Sequence, residues 1–552
     1  QLDHTTDPHL RSELEPMADA CAAVPFRPSR TFREALQCVW TIKTAVELAH
    51  PVNLHCPARL DQLLNSYYRE DLAAGRTTPD EARELLAELL LKNMTQNIRP
   101  ESNFLGRFYH RYLGSSPVTI GGLRPDGGDA CNELTTLFIE AAHNAKAVCN
   151  ISLRVHPKTP DDVLLTMADV LRRGTSVFAL CNDETTIEAM RRRGFTEEDA
   201  RDYAIMGCVE ATCPGKTGSM GANALQLCRL LDLTLRNGDC RVMAGTIHGD
   251  GPRTGDAESF ATFDDFLEAL HEQGRYFLRK ISEGSNLRDR LYAEHLPAPL
   301  ISAFIDGCAE RGRDVTQGGG RYDLSGISLV CSVANLVDSL LVIRELVFEQ
   351  RRYSLRELVD AMDANYVGHE EILRATRAVQ GKWGNGHPEA DALARRVIGR
   401  LVDETYDLDS FKGGPFVVYV ISMTTHTIDG RLSIATPDGR RAATPYAASC
   451  NPYNVERAGI TGDMRSVAAL PHDDVMGSAV NIKLHPTAIG EREDTQRKFV
   501  ALLRTYFELG GGQLQPTVVS ADTLREAQRE PERHGDLIVK VGGYSTYFVD
   551  LG

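Results

Sequence analysis

The sequence predicts an α/β protein built on a largely parallel sheet. Two patterns carry that prediction: short β-rich runs recur along the chain, and helical periodicity follows most of them within a few residues. A third observation bounds it. The 552 residues, 42% of them hydrophobic, can bury a large core, and no short repeat or low-complexity segment divides them.

The chain opens with a helical layer. "TFREALQCVWTIKTAVELA" (31–49) repeats apolar residues at helical spacing, and "TTPDEARELLAELLLKNM" (77–94) starts with Thr-Pro and early acids, a helix start. Strands are predicted at "SPVTIGG" (116–122), "VCNISLRV" (148–155) and "TSVFALC" (175–181). Later ones are expected at "PFVVYVISM" (415–423), "GSAVNIKLH" (477–485) and "LQPTVVSA" (514–521). "TPDDVLLTMADVLRR" (159–173) is typical of the helical patterns between them, while "HGDGPRTGD" (248–256) and "TQGGGRYD" (316–323) read as loops.

Composition removes several function classes. A net charge of −15 argues against nucleic acid, because phosphate binding needs a basic face, and "MRRRGF" (190–195) reads as a solvated helix face. No window of 18 or more uncharged apolar residues is present, so no membrane span is expected. The opening "QLDHTTDPHLRSELEP" has no secretory pattern. Thirteen cysteines, scattered and without a C-x-x-C pair, fit free thiols in a reducing compartment, and a cytoplasmic protein is expected.

Three stretches compete as chemistry. "MGCVEATCPGKTG" (206–218) sets Cys208 two residues from Glu210; were the segment extended, both would share a face. A carboxylate beside a thiol raises the thiol pKa, so a thiolate nucleophile is disfavoured and a neutral S–H that trades a hydrogen atom fits better. A buried structural cysteine beside a surface glutamate is the plain alternative. "GKTG" (215–218) fails as a phosphate loop, since Glu210 stands where its first glycine belongs. "VKVGGYSTYF" (539–548) by itself reads as a hairpin turn. No H-E-x-x-H occurs among the 16 histidines, "GHEEI" (368–372) reads as a helix start, and no metal site is predicted.

Taken together, "GCVE" and "LIVKVGGYSTYFVDL" resemble the glycyl radical enzymes, the pyruvate formate-lyase-like superfamily, in its GCVE dehydratase, decarboxylase and lyase branch. "TFREALQCVW", "VTIGGLRPDGGDACNELT", "CNDETTIEAM", "QGGGRYDLSGIS", "ATPDGRRA" and "SADTLREAQREPERHGDLIV" extend the resemblance in order along the chain. It implies a ten-stranded α/β barrel with surrounding helices and central Cys and Gly loops. It implies a barrel domain over 1–430 carrying the thiyl cysteine, and a glycine radical domain over 431–552. In the implied chemistry Gly543 stores a radical on Cα, where a side chain would oppose flattening. Cys208 passes it a hydrogen atom, and the thiyl attacks a substrate C–H. Glu210 then acts as base on a neighbouring hydroxyl, and the resulting radical anion expels a leaving group. The expected product is a C–O, C–N or C–S bond cleaved in a small polar substrate. An arylacetate-type decarboxylase, a formate acetyltransferase-like acyltransferase and an inactive remnant are the alternatives.

No bound cofactor is expected. The resemblance implies that a separate radical SAM activase, with S-adenosylmethionine and a 4Fe-4S cluster of its own, installs the radical. It also implies a homodimer, a small-molecule substrate and sensitivity to oxygen. Two departures bear on substrate choice. The family's diol dehydratases read "PGKTEGWHDA" after the cysteine loop, with an Asp that helps hydroxide leave as water; "PGKTGSMGAN" puts Gly221 or Ala222 in its place. The family's "HSISFGRxDQ" becomes "NLHCPARLDQ" (53–62), which offers Asn53, His55 and Cys56 as substrate contacts. The long helical region before "TFREALQ" and the short tail after the radical loop are not seen in the chain.

Overall fold

Eight strands form one continuous wall in the computed structural model, which describes residues 2–49, 56–95 and 115–551. In chain order the described strands, including three separate short pairs, are β1 (Ser115–Gly121), β2 (Cys149–Val155), β3 (Phe178–Asn182), the pair β4 (Ala204–Ile205) and β5 (Ala211–Thr212), β6 (Thr217–Gln226), the pair β7 (Cys240–Val242) and β8 (Gly245–Ile247), β9 (Tyr322–Val330), β10 (Phe416–Val420), β11 (Asn481–Leu484), β12 (Gln513–Val518), and the pair β13 (Ile538–Val541) and β14 (Tyr544–Tyr547). One sheet runs β1-β2-β3-β12-β11, and a second runs β10-β9-β6. A parallel bridge between Val420 and Ser478, just ahead of β11, joins them.

Within the wall the pairing is parallel except at β3 and β12, where Cys181 faces Gln513 in antiparallel register; the three short pairs are antiparallel. All six strand expectations fall on described strands, displaced by a few residues at their ends. The reason is chemical: β2, β3 and β10 are buried along their whole length, so they read as near-continuous apolar runs between turn residues. Helices Asp161–Arg172, Val333–Val342 and Pro388–Asp403 supply the crossovers a parallel sheet demands. Each starts in a cap or a first turn that suits a helix: Ser332 accepts from Asn335 N, and acidic residues open the other two.

The core has two parts. A large cluster fills the space between the wall and its helices, with Phe138, Leu164, Phe178, Leu336 and Val418 fully buried. A smaller one lines the inner side: Val209, Met220, Leu324, Val417, Tyr419, Ile421 and Met476. These alternate with outward residues such as Phe416 and Val418, as the two-residue period of a strand requires.

Candidate active site

Residues 206–210 are not extended. They form a tight loop between β4 and β5, closed by Met206 N donating to Glu210 O at 2.8 Å. A turn, not a shared pleat, brings Cys208 and Glu210 together. The loop is braced from several sides. Val209 N donates to the Glu210 carboxylate at 2.9 Å, and Gln513 Nε2 on β12 donates to Cys208 O at 3.2 Å. The Cys56 thiol donates to Met206 O.

The approach to the loop is fixed by a buried ion pair. Arg154, at the end of β2, meets Asp183 through two contacts of 2.8 and 2.9 Å, both side chains fully buried. Its remaining N–H groups donate to Tyr203 O and Arg201 O, each at 2.8 Å, and Tyr203 Oη donates to Asp183 at 2.9 Å. Every polar group of the pair has a partner, which is the condition under which a buried pair holds geometry.

The second half of the site is the hairpin β13–β14, in which Val541 pairs with Tyr544 and leaves a two-residue turn. Both turn residues have positive φ, +54° at Gly542 and +120° at Gly543. Such turns match the right-handed strand twist and favour glycine. Crowding enforces the choice at each. A Cβ on Gly542 would lie 1.9 Å from Met423 O; one on Gly543 would lie 2.8 Å from Cys208 Cβ, 3.2 Å from Cys208 Sγ and 2.6 Å from Ile421 Cδ1. The hairpin tip therefore rests directly on the cysteine, although 335 residues separate them in the chain.

Burial, with Glu210 nearby, holds the Cys208 thiol well above its usual pKa. It is an S–H at neutral pH, suited to hydrogen-atom transfer and unsuited to ionic attack. Burial and Glu210 likewise raise Tyr419, whose hydroxyl donates to Met220 Sδ at 2.9 Å. Cys56 is raised by burial, and Lys43, Glu210, Glu47 and Cys208 all act on it. Lys43 pairs with Glu47 one turn on in the helix Phe32–Ala49. Of the expected substrate contacts, Cys56 thus sits beside the loop, while Asn53 and His55 lie outside the described residues.

The departure after the cysteine loop has a definite place. On β6, Met220, Ala222 and Ala224 share the inner face with Tyr419, and the two alanines are exposed there. Gly221 points the other way, where a Cβ would meet the Arg288 guanidinium at 2.0 Å. Of the two, Ala222 is the one that lies on the inner face.

Residues 1–430 match the family described as pyruvate formate lyase-like, and residues 446–549 match the glycine radical family. The chain belongs to the glycyl radical enzymes. Its glycyl radical relatives include the trans-4-hydroxy-L-proline dehydratase of Clostridioides difficile, 30% identical over 100% of this chain and 69% of that protein. The isethionate sulfite-lyase of Nitratidesulfovibrio vulgaris is 32% identical over 99% of this chain and 66% of its own length. Among solved structures, one concerning 1,2-propanediol dehydration in Roseburia inulinivorans superposes with a TM-score of 0.95 at 32% identity, covering 100% of this chain and 70% of that one. The chain thus spans about two thirds of the length of these relatives. The fold is the α/β barrel of this enzyme class.

Sequence motifs located Cys208, Glu210 and Gly543, which carry the family signature. They missed the residues that hold them. Gln513, which donates to Cys208 O, and Asn150, which donates to Gly543 O at 3.5 Å, are polar side chains inside or at the end of strands, where apolar neighbours hide them. The one signal was alternation: Gln513, Gln515 and Thr517 occur every second residue in β12.

Proposed function

We propose that this protein is a glycyl radical lyase in which Gly543 stores the radical, Cys208 forms the thiyl and Glu210 is the base. The observation that carries the reading is the contact of the Gly543 turn with Cys208, where even one added methyl group collides with the thiol-bearing carbon. The hydrogen atom moves from Cys208 Sγ to the Gly543 Cα radical: the S–H bond breaks, the C–H bond forms, and the unpaired electron passes to sulfur. The thiyl then takes a hydrogen atom from substrate carbon. Glu210 removes the proton of an adjacent hydroxyl, and the radical anion expels its neighbour.

The substrate is a small polar molecule with a hydroxyl beside the leaving group. With Ala222 at the acid's position, no carboxyl on that strand protonates a departing hydroxide. This favours a group that leaves without a proton, such as a sulfonate departing as sulfite, over plain diol dehydration. The chemistry parallels that of the isethionate sulfite-lyases among its relatives. A separate radical SAM activase, using S-adenosylmethionine and a 4Fe-4S cluster, installs the radical, and the working form is a cytoplasmic homodimer.

Anaerobic EPR after treatment with such an activase tests the reading. A glycyl doublet is expected in the wild type and in C208S, with turnover lost in C208S, and no doublet in G543A. A full-length protein that gives no Gly543-dependent doublet overturns it.

A further inference from the structure

A single carboxamide clasps both strands of the radical hairpin. Asn150 is the second residue of β2, and it is buried. Its Oδ1 accepts from Lys540 Nζ at 3.0 Å, from Ser545 N at 3.2 Å and from Ser545 Oγ at 3.2 Å. Its Nδ2 donates to Gly543 O at 3.5 Å. Lys540 on β13 and Ser545 on β14 pair directly across the hairpin, and Gly543 is the second residue of the turn between the strands.

The orientation of the amide is dictated by its partners. An ammonium and a backbone N–H can only donate, so the oxygen must face Lys540 and Ser545. That leaves the NH2 group opposite the Gly543 carbonyl. No other common side chain of this size supplies both an acceptor for three donors and a donor for the fourth group. Aspartate lacks the donor, and leucine, similar in shape, lacks everything.

The Gly543 peptide plane fixes the direction of its Cα–H bonds, and the spin of a Cα radical spreads into that same carbonyl. A group that anchors the carbonyl therefore sets both the transfer direction and the electronic surroundings of the radical. Hydrogen transfer is steeply sensitive to such placement, since a misplacement of about 1 Å can cost on the order of 100-fold.

We propose that Asn150 is the positioning residue of the radical relay: by clasping Lys540, Gly543 and Ser545 it holds the Gly543 Cα–H toward Cys208 Sγ. It touches no substrate. The inference rests on the radical reading of Gly543 and adds the group that aims it.

The test isolates the Gly543–Cys208 step. In D2O the thiol exchanges its hydrogen: a back-transfer leaves Gly543 as CHD with no radical, and the EPR doublet collapses when a later transfer to the thiyl removes the protium and leaves deuterium on the Cα radical. In full-length activated N150A the collapse per radical should slow by about tenfold or more, with kcat falling in parallel and KM unchanged. S545A removes the Ser545 hydroxyl, with its contacts to Asn150 Oδ1 and to Ser176 O at 3.3 Å, keeps the backbone contact, and should fall between N150A and wild type. Collapse within about twofold of wild type in both variants overturns the proposal. Where N150A does not fold, S545A decides alone. If the wild type forms no radical, the functional reading fails, and the clasp is judged separately by amide exchange of residues 538–547 in unactivated protein. There N150A should exchange about tenfold faster or more, and unchanged protection overturns the clasp.

Discussion

Gly543 and Cys208 are in contact at the meeting point of a hairpin turn and a loop, and their spacing leaves no room for a Cβ. The G543A variant tests this in two ways. The added methyl would meet Ile421 Cδ1 at 2.6 Å and Cys208 Cβ at 2.8 Å, at a φ of +120° that L-residues rarely adopt. A stability loss of about 1–3 kcal/mol in urea unfolding is expected. Oxygen exposure of the activated wild type should cut the chain near Gly543, and G543A should stay intact by mass spectrometry.

Glu210 should be separable from the radical pair. Its carboxylate accepts from Val209 N, so glutamine preserves the side-chain shape and loses only the basic oxygen. E210Q should keep the glycyl signal and its exchange with D2O while turnover falls by about 10²–10⁴. A fall in the signal itself would place Glu210 in loop folding and not in proton transfer.

The strands and the two candidate loops were legible because each is written locally. Apolar runs of five to nine residues mark buried strands, and a Gly-Gly pair marks a turn. What was not legible is set by long-range pairing. From "GCVE" alone, Cys208 and Glu210 share a face only if the segment is extended; the hydrogen bond from Met206 N to Glu210 O closes it into a loop instead. Asn150 and Lys540 are 390 residues apart, and neither shows its partner locally. The choice between Gly221 and Ala222 likewise needed the pleat of β6, which sends one toward Arg288 and the other to the inner face.

Arg154 and Asp183 should be coupled strongly. Both are fully buried, and Arg154 also holds the carbonyls of Arg201 and Tyr203 on the way into the cysteine loop. R154M alone leaves a buried carboxylate without its cation and should cost about 3–5 kcal/mol. The double variant R154M/D183L should cost less than the sum of R154M and D183L measured singly. Chemical unfolding of the three variants measures the cycle.

Lys540 should give the protein a pH-dependent stability term. Burial lowers its pKa from 10.5 to about 8, with Cys208, Cys149 and Cys181 acting in the opposite direction. Its folded pKa lies below its unfolded one, so between these values the unfolded chain binds more protons. The contribution is full above pH 10.5 and is lost as pH falls through about 8. Relative to K540M, which cannot titrate there, the wild type should gain about 3 kcal/mol from pH 8 to pH 10.5. Parallel stability curves for the two proteins across that window would contradict the shift.

Ala222 offers a change of reaction by one residue. It is exposed on the inner face of β6, in register with Gly326 on β9, where a Cβ would already approach the Tyr419 ring at 3.0 Å. A carboxyl at position 222 would stand on the face that carries Tyr419, on the cavity side of the strand. Hydroxide is a poor leaving group and gains from protonation in the transition state, whereas sulfite departs as a stable anion and gains nothing. A222D should therefore raise kcat/KM for a vicinal diol by a factor within the 10²–10⁴ range of general acid catalysis, at its lower end because the carboxyl is not preorganised. The same variant should leave turnover of a hydroxyalkyl sulfonate unchanged or lower, because a carboxylate on the face repels the anionic head. NMR of products from both substrates reads the ratio directly, and a ratio unmoved by A222D would show that leaving-group protonation does not run through this position.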